Sequence, residues 1–107
     1  MSVRPSRGEI WQVDMGIAGK VRPCLLLTDY PANEELALVS VIPHTTALRA
    51  NEWEVKIPKS FLKEGAFYIQ QVQSISLPKL IRRLGSLTSE EWNLIAAKLA
   101  KRFGLPA

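Results

Sequence analysis

One change of period organises this chain. Up to Leu87 the apolar residues alternate with polar ones or run in short stretches broken by glycine and proline; from Thr88 they recur every three or four. The first pattern fits strands and the second a helix. "EWEVKIP" carries the two-residue period most cleanly, with Trp53, Val55 and Ile57 inward and Glu52, Glu54 and Lys56 outward. Residues 8–14 alternate in the same way, Ile10, Gln12 and Asp14 on one face and Trp11 and Val13 on the other. "PCLLLTD" at 23–29 is too short for a helix and reads as a buried strand. Further strands are expected over 36–43, ended by Pro43, over 65–75 as one bulged strand, and over 81–87. Residues 15–22, the polar "HTTALRAN" and "LPKL" read as the connections.

The last segment, "LTSEEWNLIAAKLAKRFG", opens with Thr88 and Glu91 three residues apart, the spacing of a capping box. Trp92, Ile95, Ala96, Leu99 and Phe103 share one helical face. Lys98, Lys101 and Arg102 crowd the final turns, where the helix dipole favours cations, and Gly104 and Pro106 stop the helix. Several short strands followed by one helix, in 107 residues, call for a single domain over 1–107. The economical fold is mainly β: a small, strongly bent antiparallel barrel of five to seven strands with a C-terminal α-helix packed on it.

Composition narrows the function classes. A net charge of +4 permits an anionic partner without demanding one. A single Cys cannot make an internal disulfide, so Cys24 reads as a small buried hydrophobe in a reducing, cytoplasmic compartment. Arg4 and Arg7 are not followed by an apolar run, so no secretory signal is expected, and no stretch is long enough to span a membrane. One His and one Cys make no metal site, and neither GxGxxG nor a Walker motif is present, so no metal or cofactor is expected.

Polar residues concentrate at two strand junctions, "GKVRP" before the strand at 23–29 and "PHTTALR" after the strand at 36–43. Arg22 offers a planar fork of donors that matches a phosphate. Thr45 and Thr46 offer hydroxyls, and His44 is the only side chain whose ordinary pKa lies near neutrality. Neighbours in an extended segment point opposite ways, so with Thr45 facing a groove His44 is expected to face away.

Four motifs in order, "RGEIWQVD" (7–14), "RPCLLL" (22–27), "VIPHTT" (41–46) and "QQVQSI" (70–75), together with the terminal "LGSLTSEEWNLIAAKLAKRFGL", resemble the MazF/PemK family of toxin endoribonucleases from Arg7 to Leu105. The resemblance implies an SH3-like barrel of the MazF/CcdB type, usually dimeric. It implies metal-independent, sequence-selective cleavage of single-stranded RNA. It also implies an antitoxin that lays an acidic segment over the RNA-binding surface and acts with the toxin on DNA. The Arg of the family's "RP" motif maps onto Arg22 and the Thr of its "P-x-T-[ST]" motif onto Thr45, as the catalytic pair. Lys20, Arg49, Thr46, His44, Gln70 and Gln73 are then the expected RNA-binding residues.

The sequence departs from the family pattern twice. Many relatives carry a Glu, sometimes preceded by a His, in the first loop, where this chain has only "GIAGKVRP". Many place an acidic residue where Gln70 stands and a basic one where Gln73 stands. Both changes remove candidates for a general base. An endoribonuclease toxin is therefore read beside a second possibility, a non-enzymatic toxin of the same barrel, such as a CcdB-type poison of DNA gyrase or a homologue that only binds its antitoxin.

Overall fold

The computed structural model describes residues 4–16 and 20–106. Seven strands run β1 (Glu9–Asp14), β2 (Val21–Leu26), β3 (Leu38–Thr45), β4 (Glu54–Val55), β5 (Ala66–Tyr68), β6 (Gln73–Ser76) and β7 (Leu80–Ser86), followed by α1 (Ser89–Phe103). All pairings are antiparallel, in the order β4-β5-β3-β2-β1-β7, with β6 added to β3. Ile10, Leu25 and Ile42 lie in register across β1, β2 and β3 and join Val55, Ile57, Phe67, Ile69 and Ile95 in one core cluster. The alternate residues of the same strands, Trp11, Val13, Cys24, Leu26, Val39 and Val41, form a second cluster with Ile75 of β6. Both faces of β1 to β3 are thus buried, and the period of two sorts the residues between the two cores.

The strands are legible in the sequence, but four details differ. Pro43 does not end β3, which runs on through His44 and Thr45. Val41 pairs with Gln73 of β6 and His44 with Phe67 of β5, so Pro43 falls where that edge of β3 passes from one partner to the other. A residue without an amide hydrogen is tolerated at such a break. The stretch 65–75 is two strands, because the 3-10 turn Ile69–Gln71 redirects the chain between them. Trp53, Val55 and Ile57 do point inward, yet only Glu54 and Val55 form a ladder. The sheet is open and not a closed barrel, since two-residue β4 stops short of β7. The gap is spanned by a side chain: the Phe61 ring packs on Gly85 of β7, where an added Cβ would lie 2.6 Å from Cζ.

Helix α1 follows its sequence signals. Thr88 and Glu91 make the reciprocal capping box, and Gly104 ends the helix in the left-handed conformation at φ 68°. Ile95 is fully buried, with Trp92 and Leu99 packed beside it, whereas Phe103 is exposed, contrary to the face assigned to it. Truncating a buried Ile costs about 2–5 kcal/mol, against about 1 kcal/mol for a cap, so Ile95 rather than the cap holds the helix on the sheet. Lys98, Lys101 and Arg102 lie over the Trp53 ring, and Glu52 pairs with Lys98 and Lys101. These contacts pin the β3–β4 loop to the end of α1. No helix among the described residues is long and apolar enough to cross a membrane.

Candidate active site

Arg22 does not stand in a loop. β2 begins at Val21, so Arg22 lies in the strand, opposite Val13 of β1. Its side chain is half-buried and makes no ion pair among the described residues. It lies where two cavities meet. One, of about 520 Å³, is lined by Met15, Lys20, Arg22, Pro43, Gln71, Val72 and Gln73. The other, of about 400 Å³, is lined by Gln12, Val21, Arg22, Pro23, His44, Thr45, Thr46, Ala47, Phe61 and Lys63. Together they form a cleft that holds Lys20, Arg22 and Lys63 and no carboxylate. Such a cleft attracts an anion and has no acidic group of its own to act as a base.

Sheet register builds the second cavity. Two residues along each strand from the apolar row Ile10, Leu25 and Ile42 come Gln12, Pro23 and His44. The first row faces the core, and the next row lines the cavity. Thr45 is buried, and its Oγ1 accepts from the Ala47 N–H at 3.1 Å. This is the turn role common for Thr, but a hydroxyl that accepts still has its hydrogen to donate. Gly65 is essential to the approach of β5: a Cβ there would lie 2.2 Å from the Thr45 carbonyl oxygen and 2.8 Å from His44 Cε1.

His44 does not face away. It lines the second cavity together with Thr45 and also a neighbouring one of about 470 Å³ with Lys56, Lys59, Lys63 and Glu64. Its ring meets Phe67 edge to face at 5.1 Å. Burial lowers its pKa from the usual 6.5, so the imidazole is neutral at pH 7. The unfolded chain then binds a proton more readily than the folded one, and stability falls as pH drops below 6.5, levelling off below the folded-state value. Thermal melts are expected to show a loss between pH 7 and 5 that is reduced in His44→Gln; an unchanged slope in that variant would refute the assignment. Cys24 lies behind Arg22 in the second core. Burial pushes its thiol up to about 12, against the pull of the Arg22 charge, so it is no nucleophile.

A family profile described as "PemK-like, MazF-like toxin of type II toxin-antitoxin system" matches residues 6–103. The chain belongs to the PemK/MazF toxin family. "Probable endoribonuclease MazF5" of Mycobacterium tuberculosis is 32% identical over 102 residues, covering 92% of this chain and 93% of the relative. An "Endoribonuclease in complex with its cognate antitoxin from Mycobacterial species" superposes with a TM-score of 0.79 at 24% identity, covering 99% of both chains. The MazE–MazF complex of Deinococcus radiodurans gives 0.81 at 19% identity, covering 98% of this chain and 100% of that one. These two structures carry the fold: an antiparallel seven-stranded sheet with a C-terminal helix is the MazF toxin architecture.

Within this PemK/MazF fold the cleft gathers Lys20, Arg22, His44, Thr45, Thr46 and Gln73. It does not gather Arg49 or Gln70. Arg49 lies in the exposed β3–β4 loop, where Glu54 accepts from its backbone N–H and from that of Ala50. Gln70 is exposed in the 3-10 turn, and Gln71 lines the cleft instead. The turn, hidden in a stretch that reads as one strand, shifts the side chains by a residue. Residues 17–19 of the first loop, including Gly19 of "GKVRP", lie outside the described residues. Sequence reasoning also passes over Lys63, Phe61 and Gln12. Lys63 and Phe61 lie in an irregular segment that carries no motif. Gln12 sits mid-strand, where alternation places it on one face with Ile10 and Asp14 and says no more. Its amide oxygen is buried without a hydrogen-bond partner, a state that costs about 1–3 kcal/mol.

Proposed function

We propose that this chain is an endoribonuclease toxin that cuts single-stranded RNA in the cleft around Arg22. One observation carries the reading: Arg22, held in a strand and without an ion-pair partner among the described residues, lines the same cavity as the buried Thr45, in a cleft of cations without carboxylates. Attack by the RNA's own 2′-hydroxyl builds negative charge on a pentacoordinate phosphorus. Arg22 donates two parallel hydrogen bonds to that charge, and the free Thr45 hydrogen adds a third. Lys20 and Lys63 hold neighbouring phosphates. The route uses no metal and leaves a 2′,3′-cyclic phosphate and a 5′-hydroxyl. With no carboxylate lining the cleft, the neutral His44 imidazole is the group there able to accept the 2′-proton, and the imidazolium so formed can return a proton to the departing 5′-oxygen.

The curated relative supports the activity, and the solved complexes support neutralisation by an antitoxin, whose acidic segment would occupy the same cationic cleft. Pairing of two copies would cover apolar surface that stays exposed on the monomer, such as Ile81 and Leu94. Light scattering that finds only a 12.0 kDa species at micromolar concentration would contradict pairing. The decisive experiment incubates purified protein with a long unstructured RNA in EDTA and maps both ends of each product. Cyclic phosphates and 5′-hydroxyls are expected. RNA left intact would refute the proposal and favour a toxin of this fold that works without cutting, whereas 5′-phosphate ends would refute the 2′-hydroxyl route.

A further inference from the structure

His44 is the one base proposed for the cleft, yet neither of its ring nitrogens has a hydrogen-bond partner among the described residues. The only described side-chain nitrogen or oxygen shut away without a partner is Gln12 Oε1, so both His44 nitrogens open onto the cavities that the ring lines. A histidine that takes a proton is ordinarily oriented by an acceptor on its other nitrogen, which also stabilises the imidazolium. No described carboxylate pairs with this ring.

The neighbouring cavity of about 470 Å³ offers a place for the missing partner. Gly65 belongs to its wall, and a Cβ there would lie 2.8 Å from His44 Cε1, the carbon between the two nitrogens. The nitrogen-bearing edge of the imidazole thus meets the segment between β4 and β5. Lys56 and Lys63 of that segment are exposed and unpaired among the described residues, whereas Lys59 donates to Glu91 at 2.7 Å. Glu64 lines the cavity without pairing to any of them, and Arg22 is the remaining charged group beside the ring, on the cleft side. Two free ammoniums next to an imidazole N–H fit an anion. The two cavities share His44 and Lys63, so a strand lying in the cleft can bring one.

We propose that a phosphate flanking the scissile one sits between Lys56 and Lys63 and accepts the His44 N–H, so that the RNA itself supplies the anionic partner its base lacks in the protein. The inference deepens the RNA-cleaving reading and rests on it. One nitrogen takes the 2′-proton as the 2′-oxygen bonds to phosphorus, and that proton then passes to the departing 5′-oxygen. The other nitrogen keeps its hydrogen on the flanking phosphate, which makes and breaks no covalent bond.

The test uses the full chain and single-stranded RNAs in which one flanking phosphate at a time, on either side of the mapped cut, is a neutral methylphosphonate. A 2′-O-methyl group on the nucleotide before that link keeps it from cleaving itself, and the same RNA with an ordinary phosphate is the control. At one position the neutral link is expected to lower kcat about tenfold, the worth of a hydrogen bond to a charged group. It should also move the acid limb of the kcat profile to lower pH, because an imidazolium without its anion loses its proton more readily. Lys56→Gln should weaken binding of the control RNA and change little on the neutral link at that position. In His44→Gln, already slow, the neutral link should lower kcat no further. A wild type whose kcat ignores the neutral link at both positions overturns the inference, as does an undiminished effect in His44→Gln. An acid limb moved by Glu64→Gln and not by the neutral link would make Glu64 the partner and overturn it as well. If His44→Gln does not fold, the wild-type scan and Lys56→Gln still decide. A wild type that cuts none of the RNAs overturns the functional reading, whereas one that cuts all of them alike overturns only the inference, so the two failures are distinguishable.

Discussion

Arg22→Ala is expected to lower kcat/KM for RNA cleavage by about 10²–10³-fold, about 3–4 kcal/mol of transition-state stabilisation, with the melting temperature close to wild type. The two halves of this expectation have separate grounds. The first is chemical: charge develops on the phosphoryl oxygens only as the 2′-oxygen attacks, and a preorganised donor acts on that difference. The second is structural. Arg22 has no ion-pair partner among the described residues, so its loss leaves no buried carboxylate uncompensated. Removal also relieves the positive field at the buried Cys24, which is neutral in either case. Arg22→Lys should recover little, because an ammonium on a flexible stem cannot make two parallel hydrogen bonds. Full activity in Arg22→Ala, measured on folded protein, would dismiss the cleft as the catalytic site. A collapse in stability with no separate effect on kcat would make Arg22 a structural residue.

The strands and the helix were legible because they obey local rules. Trp53, Val55 and Ile57 alternate, Thr88 and Glu91 cap, and the period changes once. The errors cluster where tertiary pairing overrides those rules. Pro43 is a stop signal in isolation, yet β3 passes it because its partner changes there. That handover carries His44 and Thr45 into the sheet and puts both on one cavity, where simple alternation sends one away. The site divides similarly. Arg22, Thr45, Lys20 and Gln73 occupy motifs and line the cleft. Phe61 and Lys63 arrive on a segment whose path is set by Gly85 and by the Lys59–Glu91 pair, contacts between residues far apart in sequence. Gln12 was visible only as a residue on the same strand face as Ile10 and Asp14; that it lines a cavity follows from three strands in register.

A single 2′-deoxy substitution at the nucleotide before the cut should abolish cleavage while leaving binding largely intact. The proposed nucleophile belongs to the substrate. In the proposed mechanism Arg22 and Thr45 stabilise the charge that this attack creates, and neither generates a nucleophile: a guanidinium keeps its proton, and an unactivated Thr hydroxyl is a poor base. The cleft has no carboxylate to deprotonate water, and the one base proposed there, His44, is assigned to the 2′-hydroxyl. Binding depends on different atoms. The cations proposed to hold phosphates, Lys20, Arg22 and Lys63, would meet the same phosphates in the deoxy substrate, so affinity should fall with salt at a log–log slope of about −0.7 per phosphate for both substrates alike. Equal slopes with cleavage in only one substrate would separate chemistry from binding in a single preparation. A deoxy substrate cut at a rate comparable to RNA would mean that water attacks, and the assignment of roles to Arg22, Thr45 and His44 would have to be abandoned.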